Sequence, residues 1–343
     1  MKSIVLHQPG NVSVCDFPEP VLAEDGVRIA VYYGGLCGTD FHKYHGRNGS
    51  RKVTYPVILG HEISGVVEET GSKVTRFKKG DRVTVDPNYS CGQCWFCRHD
   101  MPHMCENAKG VVKGFTEYIC PPEVNVYPLP ETLSLRDACL SEPLSCCLHG
   151  ISQLDLKIGN SVLIVGLGSI GMMMLELLKT GKTGPIIVVE TDVSKKEKAL
   201  AHGADLFIDP LHEDVKDVIG KAGIRNVDRV FECVGNRHTI QNALHYAGNC
   251  ATVVLFGVSD PNDPPIFDQY EAFTKELTIK NSFINPYMMQ TAIDLLADKT
   301  INAEAIIAKE VSMEECVEEI KNPVFSRQGK VIIKIRNEEG QVL

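Results

Sequence analysis

The sequence predicts an α/β protein of two parts: a β-rich part first, then a doubly wound parallel sheet of alternating strands and helices. Three observations predict it. Residues 1 to about 148 carry short strand-like runs punctuated by Gly, Pro and Asp. Near residue 150 the pattern changes to continuous apolar runs separated by helix-length segments, as buried parallel strands require. A glycine-rich turn then joins the first of those runs to the helix after it. The chain has 343 residues, 43% of them hydrophobic, which is enough to give two domains their own cores.

Taken in order, residues 1–6 read as a strand entering the fold. They lack the long apolar segment and small-residue cleavage site of a signal peptide. The spacing predicts strands at 27–33, 65–68 and 82–85, in a distorted barrel. The apolar run 161–165 predicts a buried strand, and 172–179 a helix. Runs at 186–189, 228–232 and 251–256 continue the strand–helix rhythm. A helix at 290–297 and a strand at 331–335 end the chain. No apolar run approaches the roughly 20 residues that span a bilayer. Formal net charge is −9, which argues against nucleic acid or an anionic membrane as partner. The cysteines number 13, and Cys146 and Cys147 are adjacent. An odd count with such a pair favours reduced thiols and a cytoplasmic location.

Cys91, Cys94, Cys97 and Cys105 stand at C-x2-C-x2-C-x7-C. Four thiolates on one loop close a tetrahedral shell with no open position, so this is a structural zinc site. Ferredoxin-like runs share the first spacing but place a proline after the fourth cysteine. Here Glu106-Asn107 follows, and there is no second cluster.

Gly166-Leu167-Gly168-Ser169-Ile170-Gly171 is G-x-G-x-x-G between a strand and a helix, the Rossmann dinucleotide fingerprint. Gly166 permits the tight turn, Gly168 admits the pyrophosphate, and Gly171 lets helix and strand approach. The helix start at Ser169 and Ile170 offers N–H donors to the anion. Glu190 ends the next strand. A carboxylate there accepts from the adenosine ribose and repels a 2′-phosphate, which predicts NAD rather than NADP. Asp192 is the alternative acceptor. Lys195 and Lys196 qualify the expectation of NAD, because cations near the ribose could hold that phosphate; Lys196 reads more readily as the solvated first turn of a helix. A second donor set, Cys37, His61 and Glu62, mixes thiolate, imidazole and carboxylate, as a zinc with an open position does.

Together these motifs resemble the zinc-dependent medium-chain dehydrogenases of the polyol, threonine and secondary-alcohol type. The matching stretches are Gly-Leu-Cys-Gly-Thr-Asp at 35–40, Gly-His-Glu at 60–62, Gly80-Asp81-Arg82-Val83, the four-cysteine loop, and Gly114-Phe115-Thr116-Glu117-Tyr118. Glu142-Pro143-Leu144-Ser145, the glycine loop and Phe256-Gly257 complete the order. The resemblance implies a GroES-like catalytic domain over 1–148, completed by 287–343, and a Rossmann domain over 149–286. It assigns a catalytic zinc to Cys37, His61 and, directly or intermittently, Glu62. It makes Glu142 the second acidic residue near that metal, and Thr39 and His42 the relay that carries the alcohol proton outward. Phe256 and Gly257 join the cofactor-binding residues. It further implies two zinc ions and NAD, a small-molecule alcohol or ketone substrate, and a homo-oligomer, dimer or tetramer.

The expected reaction interconverts a secondary alcohol (a polyol, sugar alcohol or sugar acid) and its ketone; L-threonine and simple diols are alternatives. Lys43 after His42 and Phe283-Ile284-Asn285 depart from the polyol pattern, which has an aromatic and an Arg-Tyr pair there. Lys43 raises an anionic substrate as an option. A catalytically inert NAD-binding relative is the rival reading; loss of Cys37 or His61 would mark it, and both are present. A zinc-free quinone reductase would lack both metal sets.

Overall fold

Strand Val27–Gly35 alternates buried Val27, Ile29 and Val31 with half-buried neighbours, and it organises the first half of the computed structural model. It pairs antiparallel with Glu62–Thr70 on one side and with Lys330–Lys334 on the other. The resulting seven-stranded sheet runs Val126–Pro128, Arg82–Val85, Glu62–Thr70, Val27–Gly35, Lys330–Lys334, Ile307–Val311, with Tyr118–Ile119 also on Val27–Gly35. A three-stranded sheet of Asn11–Asp16, Lys2–Gln8 and Val57–Ile58 completes the barrel-like arrangement. Ile4, Leu6, Ile29, Ile63, Phe115 and Val331 meet in its core. The structure describes residues 1–48, 52–337 and 339–343. They divide into two units, Met1–Ser145 with Asn285–Leu343, and Cys146–Ile284.

The second unit is a six-stranded parallel sheet in the order Leu206–Ile208, Ile186–Val189, Val162–Val165, Arg229–Glu232, Thr252–Leu255, Thr278–Asn281. In chain order within the unit this is 3-2-1-4-5-6, the Rossmann arrangement. Val162–Val165 and Ile186–Val189 are buried along their whole length, which is why they read as unbroken apolar runs. The order reverses between Val162–Val165 and Arg229–Glu232, and a ligand crevice opens at such a switch point.

Three boundaries differ from expectation for identifiable reasons. Val27–Gly35 runs two residues past the predicted end, because Gly34 and Gly35 pair with Ile63 and Glu62. The glycine-loop helix is Ser169–Lys179 rather than 172–179, because Gly168 serves as its N-cap. The last strand starts at Lys330, a charged residue that is only 2% exposed and that an apolar pattern cannot flag. Among the described residues, no helix is long and apolar enough to cross a membrane.

Candidate active site and metal centres

The mixed donor set is assembled by three short pieces of backbone. Cys37 is the N-cap of helix Gly38–Tyr44, and His61 follows Gly60. Glu62 opens strand Glu62–Thr70. The buried Asp40 carboxylate joins the first two: Oδ2 accepts the Cys37 N–H (3.2 Å) and Oδ1 the Gly60 N–H (3.0 Å). Gly60 has φ +83°, and a Cβ there would come within 2.2 Å of the Phe115 ring. Only glycine therefore lets the chain turn His61 in beside Cys37. One ligand atom each from Cys37, His61 and Glu62 lies within 4.8 Å of the others.

Lys330 stands on the opposite side of Glu62. Its Nζ donates to both carboxylate oxygens at 2.8 Å and to the Leu36 carbonyl at 3.1 Å. A Cβ on Gly35 would lie 2.0 Å from Glu62 Oε2, so the glycine makes room for the pair. Burial would lower the Lys330 pKa, but the charges of Glu62 and Cys37 outweigh it and hold the amine protonated. Burial, reinforced by the Glu62 charge, pushes the Cys37 thiol up to about 11. Burial likewise raises Glu142 to about 8; His61 opposes this, while Glu62 and Cys37 add to it. A cluster this rich in acidic groups fits a divalent cation, which would stabilise the thiolate. Sequence reasoning missed Asp40 and Lys330; Asp40 stood inside the quoted motif and was the one available signal.

Thr39 and His42 lie three residues apart on helix Gly38–Tyr44, hence on one face. Lys43 has an acidic neighbour on its own helix. Its Nζ is 3.9 Å from Asp40 Oδ1, as counter-ion to the carboxylate that holds the ligand loops.

The four-cysteine loop is compact. Sγ–Sγ distances are 3.5 Å for Cys94–Cys97 and Cys91–Cys105, and 3.9 Å for Cys94–Cys105. Sulfurs at the corners of a tetrahedron around zinc are about 3.8 Å apart, whereas a disulfide needs about 2 Å. Backbone N–H groups of Gln93 and Cys94 and the Asn107 amide point at Cys91 Sγ. The Asn107 amide and those N–H groups lower the Cys91 thiol to about 6. Cys97 is pushed up to about 12 by burial and by Cys94 and Cys105. Four sulfurs this close cannot all ionise unless a cation joins them.

In the second unit, Gly166 (φ +88°) makes the turn after Val162–Val165. A Cβ on Gly171 would meet the Gly166 carbonyl oxygen at 2.0 Å, whereas nothing lies within 4 Å of one on Gly168. The crowded glycine sets helix–strand packing, and the open one leaves the Ser169–Ile170 N-terminus approachable. Glu190 Oε2 accepts the Leu167 N–H (2.7 Å) and Oε1 the Asp192 N–H (3.0 Å), with Lys195 Nζ at 3.4 Å. Burial would raise the Glu190 pKa, but these donors outweigh it and hold the carboxyl below its usual range. Asp192 accepts from Ser194 N–H and caps the turn that follows. Phe256 and Gly257 both donate N–H bonds to the Glu232 carbonyl, which fixes their loop at the strand ends.

These two units and two donor sets define a class of protein. Residues 23–131 match the alcohol dehydrogenase GroES-like domain, and 169–298 the zinc-binding dehydrogenase family. The chain is 31% identical to D-arabitol-phosphate dehydrogenase of Enterococcus avium, covering 99% of both chains. It is 30% identical to sorbitol dehydrogenase of Bacillus subtilis (strain 168), over 92% of this chain and 91% of that one. Among solved structures, a zinc-binding dehydrogenase of Sinorhizobium meliloti 1021 bound to NADP superposes with TM-score 0.89 at 32% identity, covering 97% of this chain and 98% of that one. The chain belongs to the zinc-dependent medium-chain alcohol dehydrogenase family. It is an oxidoreductase that uses zinc and a nicotinamide dinucleotide, which sets aside the inert and zinc-free readings.

Two predictions follow from this geometry. In chelator-treated protein, Lys330→Met leaves Glu62 buried and unpaired, so chemical denaturation should show a loss of about 3–5 kcal/mol. Lys330→Arg should recover part of it; a loss below about 1 kcal/mol for Lys330→Met would contradict the pairing. Trp95, the one tryptophan, lies between Cys94 and Cys97 and stacks on His99 with ring centroids 4.1 Å apart. Removing metal from that loop should shift tryptophan emission to longer wavelength in step with zinc release, and Cys105→Ser should show the shifted spectrum from the start.

Proposed function

We propose that the protein oxidises a secondary alcohol of polyol type to its ketone with NAD⁺, and runs the reverse reduction. The observation that carries this reading is the Cys37–His61–Glu62 cluster, one thiol, one imidazole and one carboxylate within 4.8 Å. Cys37 and His61 hold the catalytic zinc, and Cys91, Cys94, Cys97 and Cys105 the structural one. Glu62, held by Lys330, balances charge beside the first metal and is available to it as an intermittent ligand. When bound, zinc supplies Lewis acidity at the alcohol oxygen, and the nicotinamide accepts hydride. Thr39 takes the alcohol proton on its hydroxyl, and His42 passes it outward. Glu142, buried beside His61, Glu62 and Cys37, orients the substrate or the water that precedes it.

Gly166, Gly168, Ser169, Ile170 and Gly171 receive the pyrophosphate, with Phe256 and Gly257 beside the cofactor. Glu190 reads the adenosine ribose, since Asp192 is engaged in capping. Lys195 limits but does not remove the resulting preference for NAD. The substrate class is supported by the relatives named for D-arabitol phosphate and sorbitol. Lys43, tied to Asp40, gives little ground for an obligatory anionic group. The GroES-like domain comprises 1–148 with 287–343, and the Rossmann domain 149–286; the two compact units, Met1–Ser145 with Asn285–Leu343 and Cys146–Ile284, support this division. Thirteen cysteines with no disulfide among them fit a cytoplasmic enzyme. Strand Thr278–Asn281 forms one edge of the parallel sheet, and nearby Tyr270 and Phe273 are 74% and 73% exposed. A second copy meeting this edge across a two-fold axis makes the dimer.

The deciding experiment screens NAD⁺ reduction over polyols, polyol phosphates, sugar acids, L-threonine and simple diols. Turnover with at least one polyol is expected, with two zinc ions per chain. Cys37→Ser should abolish turnover and lose one zinc. His42→Ala should keep both zinc ions and slow oxidation most at neutral and lower pH. Glu190→Ala should shrink the ratio of kcat/KM for NAD⁺ over NADP⁺. No turnover with any alcohol by zinc-loaded protein would sink the reading. Light scattering should give a multiple of 37.8 kDa, and a stable monomer would refute the dimer.

A further inference from the structure

One buried amide links elements that the proposed reaction leaves unexplained. Asn285 is 1% exposed. Its Nδ2 donates to Ser145 Oγ at 2.9 Å, and its Oδ1 accepts from Asn88 Nδ2 at 3.1 Å. Its side chain and that of Asn88 also lie near enough to the Asp86 carboxyl to favour its charged form, against the burial that raises it. Having accepted from Asn285, Ser145 Oγ donates to the Glu142 carbonyl at 2.6 Å. The other end of the chain of bonds is equally fixed. Asp86 Oδ1 accepts the Asn88 N–H at 2.9 Å, and Asn125 Nδ2 donates to the Asp86 and Asn88 carbonyls at 2.9 and 3.1 Å. Immediately before Asn285, Ile284 has φ +50°, a left-handed conformation that is strained for a β-branched residue. Such strain persists where surrounding contacts over-determine it, and it clusters at functional sites.

We propose that Asn285 is a positioning residue for Glu142, fixing the first turn of helix Ser141–Gln153 against the end of strand Arg82–Val85. Glu142 lies in that turn, and Ser145 is one turn beyond it. Any slip of Ser145 moves Glu142 relative to Cys37 and His61. An amide suits this node, because it donates to Ser145 while accepting from Asn88. The role rests on the proposed alcohol oxidation for its kinetic consequence, but not for its structural one.

The test uses zinc-loaded full-length protein with Asn285→Ala and Asn285→Asp. For Asn285→Ala, kcat for the alcohol should fall by about tenfold or more. KM for the cofactor and zinc per chain should stay at wild-type values. Hydrogen exchange of backbone amides 142–148 should speed up selectively. Asn285→Asp sets a second carboxyl against Asp86, where burial already raises the pKa to about 6. The other titratable groups near Asp86 are Glu142 and Tyr127; both are present in the wild type, so a new limb in the pH profile belongs to the 86/285 pair. While that pair shares one proton it keeps a donor, so kcat should approach wild type at low pH. As pH rises and the proton leaves, kcat should drop below wild type. Three results would overturn the proposal: wild-type kcat in Asn285→Ala, a loss of kcat that follows zinc loss, or an Asn285→Asp profile superimposable on wild type. If Asn285→Ala does not fold, the Asn285→Asp profile decides. If wild type oxidises no alcohol, the functional reading fails, and exchange at 142–148 in Asn285→Asp at high pH still decides the positioning role: unchanged exchange refutes it.

Discussion

The buried ion pair between Glu62 and Lys330 is the constraint on which the rest of the first unit depends. Glu62 begins a strand in the first quarter of the chain, and Lys330 begins the last strand. Their 2.8 Å contacts cross Gly35, where any side chain would collide with the carboxylate. Isolating either charge in the core costs several kcal/mol, so each residue is tolerable only because the other is there. The pair therefore fixes the register of Lys330–Lys334 beside Val27–Gly35 and closes the unit with residues from both ends of the sequence. It also sets the electrostatics of the metal cluster. One cation is already committed to Glu62, while burial raises the Cys37 thiol and the Glu142 carboxyl beside it.

The two metal centres answer the same repulsion in different ways. In the four-cysteine loop the ligands lie within fifteen residues of one another, and backbone N–H donors point at sulfur. The loop's own backbone brings the thiols to near-tetrahedral spacing. The Cys37–His61–Glu62 centre has no such local support. Asp40 holds Cys37 to Gly60, Phe115 crowds Gly60, and Lys330 holds Glu62. A site propped by separate elements can leave one face of its metal open, as catalysis requires, whereas a site closed by one loop cannot.

The nucleotide-binding unit shows a related economy. Glu190 is held by the Leu167 N–H of the glycine loop, so the residue proposed to read the ribose is fastened to the loop proposed to receive the pyrophosphate. Lys195 beside it offsets part of that carboxylate's charge. The proposed preference for NAD over NADP would therefore be a balance between one carboxylate and one amine.

Much of this was legible in the sequence because it is local. The four cysteines, the G-x-G-x-x-G turn and the apolar runs at 162–165 and 186–189 each declare themselves within a few residues. The resemblance to a dehydrogenase family extended that reading to the mixed donor set and the relay. The tertiary structure alone decided that Lys330 belongs with Glu62 and that Lys43 lies beside Asp40. It also decided that Asn285 lies against Ser145 and Asp86. These residues are polar and far apart in sequence, and they carry no periodicity. Their roles come from the desolvation that makes each need a partner, and only the folded chain specifies which partner that is.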